Sequence, residues 1–181
     1  GPQGSGKPLL RQALVASTNK QSVQGVVISA RAAGDAAGVL QQVAESLGIA
    51  SAEMKPILAQ IVQLALTGQE VYILLDDAEQ LGDSALEALL GLAEGAPEGR
   101  PHVFLFGEAS LIDRLDQICA GMHGETEGER FYVIELQPYH DEETREYLAQ
   151  RLDGAGQGIA LLSAAHIPAI HEHSAGWPGL L

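Results

Sequence analysis

The first residues of the chain combine glycines with a lysine at a spacing suited to phosphate chemistry. Positions 1–7 match the pattern G-x-x-x-x-G-K of a phosphate-binding loop, or P-loop. Glycines let successive backbone N–H groups point into one concavity, and the N-terminus of the helix that follows adds positive potential. We expect these residues to bind the phosphates of a nucleotide: Gly1, Pro2, Gln3, Gly4, Ser5, Gly6, Lys7 and Pro8.

Pro8 departs from this pattern. A serine or threonine is expected after the lysine, because its hydroxyl ligates Mg²⁺. Proline is sterically acceptable in the first turn of a helix, but it has neither a hydroxyl nor an N–H. The sequence therefore predicts a loop that holds phosphate beside a weakened Mg²⁺ site. The other interpretation of positions 1–7 is a glycine-rich linker.

A pair of acids follows an apolar run farther along the chain. Val71–Leu75 leads directly into Asp76 and Asp77, which is the Walker B arrangement. There the first carboxylate holds Mg²⁺ through water and the second polarises the attacking water. We assign Asp76 to the metal and Asp77 to catalysis, although glutamate is usual at the second position and Asp77 is one methylene shorter. Glu79 is expected to point elsewhere, and the alternative is a solvated turn after a strand.

Four apolar runs alternate with helical patterns. They are Val26–Ile28, Val71–Leu75, Val103–Phe106 and Phe131–Leu136. Continuous apolar strands are typical of a parallel sheet covered on both faces, so we predict a three-layer α/β fold. Residues 1–138 are expected to form the core, with the strand that enters the P-loop lying upstream, and residues 139–181 to begin a helical lid. We also expect Gly48 to end one helix and Asp83 to cap another.

The composition limits the classes of function. The chain has 181 residues, 46% of them hydrophobic, and 24 acidic against 10 basic residues give a net charge of −14. Such a charge repels phosphate backbones and argues against direct nucleic-acid binding. The single cysteine, Cys119, cannot form an internal disulfide, and we find no signal peptide or membrane span. We expect a cytoplasmic domain.

From these motifs onward the chain resembles AAA+ ATPases, which are P-loop NTPases of the ASCE type. The likeness is to the general-secretion (ExeA-like) ATPases and to the cytoplasmic domain of DamX-type, SPOR-containing cell-division proteins. The blocks that carry it are residues 1–7, 73–80, 105–111, 136–152 and 174–179. The resemblance implies a parallel sheet with a partial C-terminal helical lid, ATP or ADP with Mg²⁺ as ligands, and homo-oligomers.

The resemblance also indicates where this chain departs from active relatives. It places sensor 1 near Glu108, where relatives carry an amide, and sensor 2 at Gly179, where relatives carry an arginine. Arg114 lies in the region of a candidate arginine finger, although pairing with Asp113 or Asp116 is the simpler interpretation. In active relatives each of the replaced groups would stabilise transition-state charge by about a few kcal/mol. We therefore expect nucleotide binding with weak or lost hydrolysis.

The partners follow only from the resemblance. It implies protein partners in bacterial cell division or secretion, and inner-membrane attachment only through segments outside this chain. A non-enzymatic AAA+ scaffold for protein partners is the alternative. A DNA-transposition-type regulator would need a basic stripe, against which the net charge of −14 argues. His166, His171 and His173 are interpreted as a polar helix face rather than a zinc site.

Overall fold

The computed structural model describes residue 2 and residues 4–123, 131–163 and 165–181. Its strands are β1 (Val23–Ser29), β2 (Glu70–Asp76) and β3 (His102–Leu105). They form a parallel sheet in the order β1-β2-β3. The register aligns Ser29 with Asp76, so the carboxyl ends of β1 and β2 meet at one edge. The predicted α/β fold with a parallel sheet is confirmed.

Helices connect and cover these strands. Within the described residues the α-helices are α1 (Lys7–Ser17), α2 (Ala30–Ala33), α3 (Ala36–Leu47), α4 (Met54–Leu66), α5 (Asp83–Glu94), α6 (Ser110–His123), α7 (Asp141–Gly154) and α8 (His166–Ser174). Gly48 ends α3 in a left-handed conformation, as predicted. Asp83 is not a cap, because Gly82 occupies that position and Asp83 begins the helix. None of the helices described combines the length and apolar character needed to cross a bilayer.

The core lies around the central strand β2. Ile73, Leu74 and Leu75 are consecutive along β2 and all at most 1% exposed, so side chains on both faces of the sheet are covered. Ile57 of α4 and Leu86 of α5 belong to the same buried cluster. This burial on both faces explains why β2 reads as a continuous apolar run rather than an alternating one.

The predicted fourth strand, Phe131–Leu136, is wrong. The structure gives these residues no strand conformation, and Tyr132 and Ile134 are 91% and 82% exposed. A strand is stable only when its N–H and C=O groups pair with a neighbour. In the described residues no strand pairs with this segment, so its apolar composition alone does not make it a strand.

The chain divides into two compact units. One comprises Gly1–Lys7 with Ile134–Leu181, and the other comprises Pro8–Val133 and contains the sheet. In the first unit α7 packs against α8. His171 links the two helices, since its Nε2 lies 2.9 Å from Asp141 Oδ1 and its Nδ1 lies 2.8 Å from the buried hydroxyl of Thr144. His171 thus serves helix packing. The expected boundary after residue 138 stays a prediction.

Candidate functional site

The glycine loop adopts a conformation that requires glycine. Gly4 and Gly6 have φ of 80° and 87°, which is the left-handed region that other residues avoid. Left-handed residues that alternate with ordinary ones turn successive N–H groups toward one side of the chain and make a concavity for an anion. The loop leads directly into α1, whose first residue is Lys7. Its backbone therefore suits a phosphate.

Two buried polar side chains belong to this loop. Lys7 is 7% exposed, and its Nζ donates a hydrogen bond of 3.0 Å to the carbonyl of Pro2. Ser5 is 6% exposed, and its hydroxyl has no hydrogen-bond partner within the described part of the chain. An unsatisfied buried hydroxyl costs about 1–3 kcal/mol, so a ligand that bonds to it would be favoured. The predicted residues Gly1 and Gln3 lie outside the described residues.

The C-terminal segment packs against the same loop. The N–H of Gly179 donates to the carbonyl of Gly4 at 2.7 Å, and a side chain on Gly4 would meet Leu180 Cγ at 2.8 Å. In an anion-binding concavity the N–H groups face the anion, whereas this contact uses a carbonyl. The segment Pro178–Leu180 therefore lies against the glycine loop and occupies its Gly4 carbonyl.

The two lid blocks of the sequence also meet. Tyr139 N–H donates to the carbonyl of Gly176 at 2.8 Å, and a Cβ on Gly176 would collide with the carbonyl of Tyr139. Gly179 has no room for a side chain either, because a Cβ there would lie 2.9 Å from Gly4 Cα. Leu136–Tyr139, Ser174–Gly179 and the glycine loop thus converge within one compact unit.

Asp76 stands at the carboxyl end of β2 and is ion-paired. Its Oδ2 lies 3.6 Å from Nε of Arg11 on α1, and its Oδ1 accepts a hydrogen bond of 3.1 Å from the N–H of Asp77. The Asp76 and Arg11 side chains are only 19% and 24% exposed. With Pro8 where a hydroxyl is expected and a guanidinium beside the carboxylate, the residues present do not fit a Mg²⁺ ion.

Asp77 is held in a left-handed conformation, with φ 53° and ψ 43°. The chain leaves β2 at this residue and enters a short 3₁₀ helix, Ala78–Gln80. Aspartate tolerates this backbone better than most residues, but the conformation still costs about 1 kcal/mol. Backbone strain of this kind is concentrated at functional positions, which is consistent with the role predicted for Asp77.

Changing Asp77 to glycine is expected to remove the strain without loss of stability. The free energy of unfolding should stay the same or rise by up to about 1 kcal/mol, because glycine adopts positive φ freely. Asp77→Val should lower it by about 1–2 kcal/mol, because a β-branched side chain clashes in this region. Urea denaturation of both variants measures the difference, and a glycine variant less stable than the valine one would contradict the strained backbone.

Glu79 lies beside the segment that carries the predicted sensor 1. Its Oε2 is buried, has no hydrogen-bond partner among the residues described, and would lie 3.1 Å from a Cβ on Gly107. The neighbouring Glu108 is half-buried. Glu79 is predicted from the sequence to point elsewhere. Its position beside Gly107 depends on the left-handed turn at Asp77, which the spacing of the acids does not reveal. Asp76 thus ends β2, and Asp77 and Glu79 follow it in the turn that leaves the strand.

Arg114 holds this turn in place. From α6 it donates to the carbonyls of Glu79 and Leu81 at 3.0 and 2.8 Å, and its Nη2 lies 2.6 Å from Asp83 Oδ1. The expectation that Arg114 pairs with Asp113 or Asp116 is wrong, because the guanidinium reaches across to the turn that follows β2 instead. Arg114 is therefore a positioning residue within its own chain.

Comparison with known proteins gives a matching family and solved structures of similar fold. Residues 1–115 match the family model described as an AAA domain. No curated protein matches the chain. Similar solved structures include Cdc6p from Pyrobaculum aerophilum (23% identity, TM-score 0.59, 83% of this chain and 41% of that one). The Aeropyrum pernix ORC2 protein in its ADP form is also similar (17%, 0.58, 84% and 44%).

A DNA-bound structure shares the same fold. The Aeropyrum pernix ORC1 protein in complex with DNA has 18% identity and a TM-score of 0.55, with 85% of this chain and 42% of that chain covered. At these identities the likeness extends to the fold and no further. The chain spans less than half the length of each of the three solved structures.

Proposed function

We propose that this chain, which belongs to the family of AAA domains by the match over residues 1–115, binds ATP or ADP at its glycine loop. We also propose that it hydrolyses ATP slowly or not at all. One observation carries the proposal. Gly4 and Gly6 hold the left-handed backbone of a phosphate cradle, directly before a buried lysine that begins α1. The buried Ser5 hydroxyl, which has no hydrogen-bond partner among the described residues, supports the same interpretation.

The hydrolytic part of the proposal rests on the altered groups. Asp76 faces Arg11, and Asp77 stands in a strained turn where it has to replace a longer glutamate. Glu108 offers a carboxylate at the position of a sensor amide, and an ionised carboxylate repels a γ-phosphate. Since each group would normally stabilise charge that develops in the transition state, their combined loss lowers turnover far more than it lowers binding.

Thermal unfolding with and without nucleotide tests the proposal. ADP present at about 100 times its Kd should stabilise the folded protein by about 2.7 kcal/mol and raise the midpoint. Lys7→Ala should abolish this ligand-induced shift, while Lys20→Ala, at an exposed position after α1, should keep it. Equal midpoints with ADP, with ATP and without ligand would refute nucleotide binding and favour the non-enzymatic scaffold. ATP turnover at the rate of ordinary ATPases would refute the loss of hydrolysis.

The cellular role is proposed from the resemblance to ExeA-like and DamX-type proteins. We place the domain in the cytoplasm, in a bacterial cell-division or secretion assembly, with protein partners, homo-oligomers and a lid whose position follows the nucleotide. Direct binding of DNA, as in the ORC1 complex, is disfavoured by the net charge of −14. Cross-linking with and without ADP measures the oligomers, and a monomer in both states would contradict this part.

A further inference from the structure

We propose that the segment Pro178–Leu180 is an inhibitory latch on the glycine loop, and that it must leave the loop before the phosphates of a nucleotide bind there. The inference rests on the proposed nucleotide binding and concerns how the same site is regulated. It follows from contacts within one compact unit, which comprises Gly1–Lys7 and Ile134–Leu181.

The latch contacts both left-handed glycines of the loop. Gly179 N–H donates a hydrogen bond of 2.7 Å to the carbonyl of Gly4. A Cβ built on Gly4 would lie 2.8 Å from Leu180 Cγ, and one built on Gly6 would lie 3.7 Å from Pro178 Cβ. The latch therefore packs along the stretch of backbone that the phosphates are proposed to use.

The latch has no group that would bind a phosphate. Pro178 lacks an N–H, and Gly179 N–H is bonded to the loop. Leu180 N–H donates to the carbonyl of Trp177 at 3.0 Å, and none of the three side chains of the latch is polar or charged. A phosphate oxygen turned toward such a surface would lose hydration without gaining a hydrogen bond, which costs free energy. The latch therefore opposes phosphate binding.

The polar groups of the loop are arranged for the closed state. Lys7 Nζ donates to the carbonyl of Pro2 at 3.0 Å, so this contact of the lysine stays within the loop. The Ser5 hydroxyl is buried and has no hydrogen-bond partner among the described residues, which destabilises the closed state. A phosphate that accepted hydrogen bonds from Ser5 and Lys7 would stabilise the open state. The two states therefore differ in the contacts that they offer a phosphate, as a switch requires.

Titration calorimetry with ADP on Leu180→Ala tests the inference. If the latch is closed in most molecules, the apparent Kd of the wild type exceeds that of the open loop by the inverse of the open fraction. Leu180→Ala removes the side chain that contacts Gly4 and should tighten ADP binding by about fivefold. Leu161→Ala, at a leucine of similar exposure in the same unit (65% against 60%), should bind ADP as the wild type does.

The results of this titration separate the inference from the proposed function. Tighter binding by Leu180→Ala alone supports the latch. Unchanged or weaker binding by Leu180→Ala, or equal tightening in Leu161→Ala, would overturn the latch and leave nucleotide binding intact. No binding of ADP by the wild type or by Leu180→Ala would refute nucleotide binding as well.

Hydrogen exchange in the wild type gives a second test, and its sign differs from that of ordinary stabilisation by a ligand. Coupling between two binding events is reciprocal, so a nucleotide that the latch excludes must also release the latch. With saturating ADP, Gly179 N–H should exchange faster by about fivefold or more, because it no longer donates to Gly4. A ligand that only stabilised the folded protein would slow this exchange. Slower or unchanged exchange at Gly179 would overturn the inference.

Discussion

Replacing Arg114 with alanine is expected to lower the free energy of unfolding by about 2–4 kcal/mol. The guanidinium donates to the carbonyls of Glu79 and Leu81, and a hydrogen bond from a charged group contributes about 1.5–3 kcal/mol. Alanine leaves both carbonyls without this donor beside the acidic turn that follows β2. Urea denaturation measures the loss, and the slope of the transition shows whether unfolding stays two-state.

Two other variants show which contact of Arg114 matters. Asp83→Asn removes only the ion pair, and Asp83 is 68% exposed, so the loss should stay below about 1 kcal/mol. Arg114→Lys keeps the charge but cannot span both carbonyls with a planar fork, so an intermediate loss is expected. If Asp83→Asn cost as much as Arg114→Ala, the stabilising contact would be the surface pair and the positioning role would be wrong.

The sheet could be predicted where strands are buried on both faces. Val71–Leu75 and Val26–Ile28 are recognised by their continuous apolar residues, and the structure extends each run by only a few residues. The same signal fails at Phe131–Leu136, because strand formation depends on a neighbour that composition does not reveal. Helix ends with a glycine requirement, such as Gly48, were also predictable from local chemistry.

Part of the candidate site could be predicted from the sequence, and part of it depends on the fold. Gly4 and Gly6 predict a loop with left-handed residues, because only glycine adopts that backbone freely. Their φ angles in the structure are positive, as this predicts. The pairs Arg11–Asp76 and Arg114–Asp83 could not be foreseen, because they join residues far apart in sequence whose meeting depends on how the helices pack. Local signals thus identify the loop, and only the fold reveals which charges neutralise the acids.

Introducing a side chain at Gly179 is expected to separate the C-terminal segment from the glycine loop. A Cβ at this position would lie 2.9 Å from the Cα and the carbonyl oxygen of Gly4, which are backbone atoms that cannot rotate away. Gly179→Ala should therefore break the hydrogen bond from Gly179 N–H to Gly4 and lower the free energy of unfolding by about 1–3 kcal/mol. Gly154→Ala is the matched control, because no atom of the described residues outside its own helix turn and chain neighbours lies within 4 Å of a Cβ there.

Gly179→Arg places an arginine at the position where the resemblance implies a sensor arginine. Its guanidinium cannot act on a phosphate from the present backbone, because its own Cβ already collides with Gly4. We expect the same loss of stability as for alanine, and hydrogen exchange at residues 4–7 should become faster in both variants because the segment no longer covers the loop. Unchanged exchange together with unchanged stability would show that Pro178–Leu180 does not pack on the loop in solution. Faster exchange in Gly179→Ala, with wild-type exchange in Gly154→Ala, would assign the effect to this one contact.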